Sequence, residues 1–241
     1  MRKAKLFWAR KLKSLFMRWR LHYIVEPFTG LFLNLAYMSK LSKWAHAQKN
    51  VPFNDFYQSK GDYQLRFKLY DYLLHHEGLD GAVNYLEFGV ATGVSFRWWV
   101  EHNRDNNSRF HGFDTFTGLP EDWGPYKAGD MHNDNQIPDI ADNRVQFYQG
   151  LFQQTLPGFL KNFDNSRRNF IHMDADLYSS TLYTLTMLAP YLKKGDVIMF
   201  DEYAVPSHEF LALKNFTESY YCKLQLIGAA NNYHFSAFRV E

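Results

Sequence analysis

Four acids in this 241-residue chain stand where short apolar runs end: Glu87, Asp114, Asp174 and Asp201. In open α/β sheets ligands bind beyond the carboxyl ends of the strands, so acids at four such ends equip one crevice for a polar guest and a cation. Glu87 opens the stretch Glu87-Phe88-Gly89-Val90-Ala91-Thr92-Gly93. Gly89 permits a tight turn, and Gly93 lets backbone approach a ligand with no Cβ in the way. The spacing is E-x-G-x-x-x-G, the pattern of a nucleoside-binding turn. It is not the dinucleotide fingerprint, which argues against a nicotinamide dehydrogenase. Asp114 stands where an acid accepts hydrogen bonds from ribose hydroxyls, or where it caps the turn at Thr115–Thr117.

Asp174, Asp201 and Glu202 come from neighbouring strand ends. Carboxylate oxygens completed by water are the ligands Mg²⁺ prefers. Asp176 either joins them or caps the helix that starts near Ser179 and Ser180. His172 and His208 lie close enough in sequence to serve as proton acceptors, or they are hydrogen-bonded structural histidines. No His/Cys set has zinc spacing.

These residues need a scaffold of alternating elements. Strands are predicted at Val83–Gly89, Arg109–Asp114, Arg144–Tyr148, Asn169–Asp174 and Asp196–Asp201. Helices are predicted at Phe56–Glu77, Ser95–Asn103, Leu156–Phe163, Ser180–Leu192 and His208–Tyr220. A closing hairpin is predicted from Lys223–Gly228 and Tyr233–Val240. Such alternation implies an α/β fold with parallel strands joined by crossovers. Thr115–Asn143 breaks the rhythm, being long, polar and rich in Gly, Pro and Asp. Long loops in compact domains are commonly lids or binding loops, and Trp123 and Tyr126 within it are candidates for the acceptor side.

Apolar residues at 46% and aromatics at 18% suffice for one sizeable core. The single cysteine, Cys222, excludes an internal disulfide and fits a reducing, cytoplasmic setting. The net charge of +2 hides an asymmetry. Residues 1–54 carry eleven Lys/Arg and one acid, Glu26, whereas residues 55–241 carry sixteen Lys/Arg against twenty-four acids. The division therefore falls at a basic helical extension, 1–54, and a body, 55–241. In the extension, Trp8, Leu12, Leu15, Phe16 and Trp19 recur at helical steps among basic residues. A helix of that kind lies in the headgroup layer of an anionic membrane, or packs on the body or a partner chain. An organelle transit peptide is a third reading. Tyr23–Met38 is apolar but interrupted by Glu26, Pro27 and Gly30, and falls short of a spanning helix. No small-residue cleavage site follows the basic start, which argues against a signal peptide. The acidic body argues against nucleic acid as a partner. Self-association stays open.

The segments LEFGVATGVS, GFDTFTGLPEDW, GLFQQTLPGFL, HMDADLYSST and MFDEY occur in this order. Together they resemble the motifs of the macrocin-type sugar O-methyltransferases, a class I S-adenosylmethionine-dependent family. The resemblance runs from about Tyr85 to Glu241. It implies a Rossmann-like, seven-stranded, mostly parallel sheet with helices on both faces, the last strand antiparallel, and a bound Mg²⁺. It further implies that Glu87, Gly89 and Gly93 shape the cofactor turn, that Ser95 meets the methionyl carboxylate and that Asp114 holds the ribose. Asp174, Asp201 and Glu202 would hold the metal, with Asp174 as proton acceptor. Glu202 departs from the family, which often has aspartate there. The implied reaction is methyl transfer to a sugar or glycan hydroxyl. The other readings are a small aromatic or other secondary metabolite as acceptor, and a non-catalytic nucleoside-binding protein of the same fold.

Overall fold

The computed structural model describes residues 2–241. The centre of the molecule is β2 (Val83–Phe88), buried at every position. A strand covered on both faces is rich in apolar residues, here Val83, Tyr85, Leu86 and Phe88, which is why this segment was visible in sequence. It pairs in parallel with β3 (Arg109–Asp114) on one side and β5 (Arg168–Met173) on the other. Outside β3 lies β4 (Val145–Gln149), and outside β5 lies β6 (Val197–Phe200), both parallel. The chain thus runs outward from β2 in one direction, then returns to its other flank. The carboxyl ends of β2 and β5, at Phe88 and Met173, lie side by side at this reversal.

The hairpin of β7 (Leu224–Ala230) and β8 (Phe235–Val240) completes the sheet, with β8 inserted antiparallel between β6 and β7. These are the seven strands expected. An eighth, β1, is a two-residue edge strand, Phe53–Asn54, parallel to β7.

Helices cover both faces. α3 (Leu65–His76) and α4 (Val94–His102) bury Leu69, Tyr70, Leu73, Phe96 and Trp99 against one side. On the other side, α5 (Phe152–Leu160), α6 (Tyr178–Leu188) and α7 (Glu209–Tyr220) bury Leu156, Leu185, Leu213 and Phe216. α5 starts earlier than its predicted Leu156, because the Gln154 side chain accepts the Leu151 backbone N–H at 3.2 Å and so caps the first turn. Pro190 closes the α6 region in a 3-10 turn, Ala189–Tyr191. Residues 56–64 are not helical. There, side chains of Asn231 and Asn232 accept the backbone N–H groups of Asp62 and Gln58, so distant partners replace the local ladder.

The N-terminal region forms α1 (Arg2–Arg18) and α2 (His22–Ala47). Pro27 and Gly30 do not interrupt α2. Pro27 falls early in the helix, where the missing N–H forfeits a single hydrogen bond and the following turns continue. Near its end, α2 grips the body through Leu41, Trp44 and Ala45. No helix among the described residues is long and apolar enough to cross a membrane.

Candidate active site

A cavity of about 290 Å³ opens at the carboxyl ends of β2, β3, β5 and β6. Gly89, Asp114, Asp174, Asp176, Asp201 and Glu202 all line it.

The β2–α4 turn forms the floor. Gly89 has φ +95°, and a Cβ there would fall 1.7 Å from the carbonyl oxygen of Asp174. Only glycine lets the turn lie this close to the end of β5. Gly93, at φ +77°, lies beneath the ring of Pro138. Asp114 is clamped to the same turn. One carboxylate oxygen accepts the N–H groups of Val90 at 2.7 Å and Ala91 at 2.8 Å, and the other accepts that of Phe116 at 2.6 Å. It therefore braces its own turn, as the capping alternative required. A carboxylate offers about four lone-pair sites, so acceptor capacity remains toward the cavity.

Glu87 and Ser95 do not line the cavity. Glu87 is buried beneath it, accepting a hydrogen bond from the Tyr85 hydroxyl and lying 3.5 Å from Nδ1 of His172. Burial raises the Glu87 pKa, with His172 and Tyr85 opposing that shift. Ser95 is buried behind Tyr70, whose hydroxyl lies 3.1 Å from its Oγ. The group that reaches past Ser95 into the cavity is Arg66, on α3. Its guanidinium pairs with Asp201 at 3.2 Å and stacks over the rings of Tyr63 and Phe235. Sequence reading did not single out Arg66. It precedes every motif, and nothing local distinguishes it from a solvated helix residue.

Asp174 is half-buried, and among the described residues its carboxylate has no hydrogen-bond partner. Burial pushes its pKa well above the usual range, and the charges of Asp201 and Asp176 push it further. Burial, with Asp201 adding, raises Asp176 to about 6. Burial together with Asp176 and Asp201 raises Glu202 to about 8. Such crowding of acids calls for a cation. His172, Asp174 and Asp201 each offer a ligand atom within 4.8 Å of the others. Nε2 of His172 is buried without a hydrogen-bond partner, 3.5 Å from Asp201. The carboxylate pair fits a hard divalent cation, and the unpartnered His172 nitrogen widens the donor set. Glu202 lines the same cavity but turns toward Asp176 and toward His234, 3.9 Å away. The geometry thus brings Asp174 and Asp201 together and sets Glu202 beside them. His172 is held between Glu87 and Asp201. Burial alone would lower its pKa, but the nearby carboxylates of Asp201 and Glu87 raise it.

The long loop folds over this cleft. Thr115, Gly118, Leu119, Pro120 and Met131 contribute to the cavity wall. Trp123 and Tyr126 stack at 5.2 Å farther out, with Trp123 facing His208 edge-on at 6.3 Å. Burial lowers the pKa of His208. Ser179 donates to Glu121 at 2.5 Å, and Asn133 donates to the Ala91 carbonyl at 3.2 Å, tying the loop to α6 and to the turn.

Residues 86–203 match the family described as a methyltransferase domain. Among curated proteins, the chain is 29% identical over 150 residues to 8-demethyl-8-(2,3-dimethoxy-α-L-rhamnosyl)-tetracenomycin-C 4′-O-methyltransferase of Streptomyces olivaceus, covering 54% of this chain and 55% of that protein. It is 31% identical over 108 residues to demethyldecarbamoylnovobiocin O-methyltransferase of Streptomyces niveus, covering 37% and 40%. The chain thus spans about half the length, or less, of these relatives. Among solved structures, the calicheamicin methyltransferase CalS11 superposes with TM-score 0.56 at 21% identity over 85% of this chain and 91% of that one. The O-methyltransferase NovP gives 0.55 at 21% identity over 73% and 79%. At these identities the likeness to solved structures is one of fold. The order of the five motifs, the antiparallel β8 and the matched domain agree, and residues 86–203 belong to the methyltransferase-domain family.

Proposed function

We propose that this chain transfers the methyl group of S-adenosylmethionine to a hydroxyl of a sugar or glycan, assisted by Mg²⁺ held at Asp174 and Asp201 with Glu202 alongside. The observation that carries the reading is the Asp174 carboxylate. It lines the cavity beside Asp201, with no hydrogen-bond partner among the described residues. The acceptor class is supported by the Streptomyces olivaceus relative, whose name specifies methylation of a rhamnosyl-bearing compound.

In the transfer the sulfonium–methyl bond breaks as the methyl carbon bonds to the hydroxyl oxygen, and the hydroxyl proton must leave. A sugar hydroxyl is almost fully protonated at neutral pH. A divalent cation, when bound, would supply positive charge that favours the ionised form of Asp174 and lowers the pKa of a nearby hydroxyl. Asp174, once ionised, accepts the proton. Asp114 and the Gly89 turn hold the nucleoside, while Arg66 and Tyr63 form the opposite wall. Leu119, Pro120 and Met131 exclude water above it. Alignment of donor methyl and acceptor oxygen supplies the rest of the acceleration.

Titration calorimetry with S-adenosylmethionine, with and without Mg²⁺, followed by product analysis with sugar and catechol acceptors, tests the proposal. The expected result is binding, then S-adenosylhomocysteine and a methylated sugar. Binding without product would leave a nucleoside-binding protein, and turnover of the catechol alone would overturn the acceptor class.

A further inference from the structure

We propose that α1 and the first two-thirds of α2 form a docking element for an anionic lipid bilayer, with α1 lying among the headgroups and the Tyr23–Met38 segment of α2 entering the acyl layer of one leaflet.

The first observation is exposure. α2 has no buried residue. Tyr23, Ile24, Phe28, Leu31, Phe32 and Leu35 are each more than half exposed. At about 100° per residue these six fan over one half of the circumference, and Glu26 is the only acidic or Lys/Arg residue between His22 and Ser39. A helix with so broad an apolar face is ordinarily buried in protein or in lipid. The body covers only its far end, through Leu41, Trp44 and Ala45.

Charge selects the occupant. Residues 2–20 hold eight Lys/Arg and no acid. α1 gathers Trp8, Leu12, Leu15 and Phe16 on one stripe, with Trp19 in the turn just past its end, and most of its basic residues flank or oppose that stripe. Trp8, Leu12 and Trp19 are 58%, 65% and 64% exposed. Lys11 reaches over the Trp8 ring, its Nζ 5.3 Å from the centroid. Basic residues interleaved with Trp, Phe and Leu suit the interface of an anionic leaflet, where the rings sit at headgroup depth. A protein groove closing on α2 would need no such field beside it.

Length sets the depth. Tyr23–Met38 spans about 24 Å at 1.5 Å per residue, less than the roughly 30 Å hydrocarbon core. The segment can enter the membrane but not cross it, in agreement with the absence of a spanning helix among the described residues. The acidic body would be repelled by the same lipids. α2, about 39 Å long over its 26 residues, is longer than the ~8 Å screening distance at physiological salt.

The test uses the full chain and sedimentation with sucrose-loaded vesicles. Vesicles of phosphatidylcholine with 30% phosphatidylglycerol should bind at least about tenfold better than phosphatidylcholine alone, and 0.5 M salt should remove most of the difference. The triple variant Lys5→Glu, Lys11→Glu, Lys13→Glu should lose more than about a hundredfold in partitioning, with the melting temperature of the body unchanged. Because Cys222 is the only cysteine, a Cys222→Ser background accepts a single spin label at Phe32→Cys or at Lys13→Cys. On anionic vesicles the label at 32 should be open to oxygen and shielded from a water-soluble nickel chelate, and the label at 13 should be open to the chelate. Equal binding to neutral vesicles, or no loss in the triple variant, overturns the proposal. So does a label at 32 that is shielded without vesicles while the mass doubles, since a second copy would then be the occupant.

Discussion

Any Cβ placed at residue 89 would fall 1.7 Å from the carbonyl oxygen of Asp174, so the turn after β2 and the end of β5 meet at a point only glycine can occupy. Gly89→Ala must push these ends apart, and φ +95° strains alanine as well. The expected loss is about 2–4 kcal/mol of stability and at least about tenfold in S-adenosylmethionine affinity. Urea unfolding and calorimetry read the two effects, and an unchanged affinity would remove the turn from the cofactor site.

Asp174→Asn keeps the shape of the side chain and removes its capacity to take a proton. Turnover should fall by about a thousandfold or more, following the usual size of acid–base and electrostatic contributions. Cofactor affinity should stay within a few-fold. Single-turnover kinetics beside calorimetry separates the two, and full activity in the variant would end the assignment of Asp174 as base.

Arg66 is the cation nearest to Asp201, at 3.2 Å. Arg66→Ala leaves a buried carboxylate without its partner and should cost about 3 kcal/mol. Because a divalent cation can take over the neutralising role, Mg²⁺ should raise the melting temperature of Arg66→Ala more than that of the parent chain. Arg66→Lys should rescue little, since an ammonium cannot stack flat on Phe235. Equal Mg²⁺ responses in parent and variant would contradict the pairing.

The pH profile carries the same crowding. Glu202 titrates near 8 and Asp176 near 6 in the fold, both above their unfolded values. Between about pH 4.5 and 8 the folded chain holds protons the unfolded chain has released, so stability falls as pH rises across that window. In chelator the melting temperature should be higher at pH 5.5 than at pH 8.5, the Glu202 share being at most about 4 kcal/mol. Glu202→Gln should flatten the slope, and a slope identical to the parent's would mean the acid is not held protonated.

Trp44 is the clasp between α2 and the body, with ring centroids 4.8 Å from Tyr203, 5.5 Å from Tyr233 and 6.1 Å from Phe238. Trp44→Ala should cost about 2 kcal/mol locally, less than a fully buried tryptophan. Cleavage by trypsin at Lys40, Lys43 and Lys49 should accelerate while the body stays intact. Mass spectrometry of the fragments checks this.

Which parts of this arrangement were legible in sequence follows from the physics of each part. β2, β3, β5 and β6 announced themselves because strands buried in a parallel sheet are rich in apolar and aromatic residues, and an acid stands at or near the carboxyl end of each. Asp114 and Asp174 could be placed on that ground alone. Glu87 and Ser95 sit next to the telling glycines yet face inward, because a pattern of types and spacings carries no information on which side of the sheet a side chain leaves. Arg66 reaches the cavity from a helix preceding all the motifs, and its role appears only once α3 is laid against β7. β1 has two residues and no periodicity to detect. Within an extension already read as helical, Pro27 and Gly30 hid only the continuity of α2, and Pro27 sits early enough for the following turns to continue.

The clasp at Trp44 also makes a lever. Tyr203, which it touches, directly follows Glu202, and its backbone N–H donates to the His234 carbonyl at 2.8 Å. A force drawn on the far end of α2 therefore arrives one residue from the acidic cluster. If the N-terminal helices take hold of a surface, tension there should alter turnover. Replacing Trp44 by alanine should uncouple the two, giving equal rates for tethered and free protein.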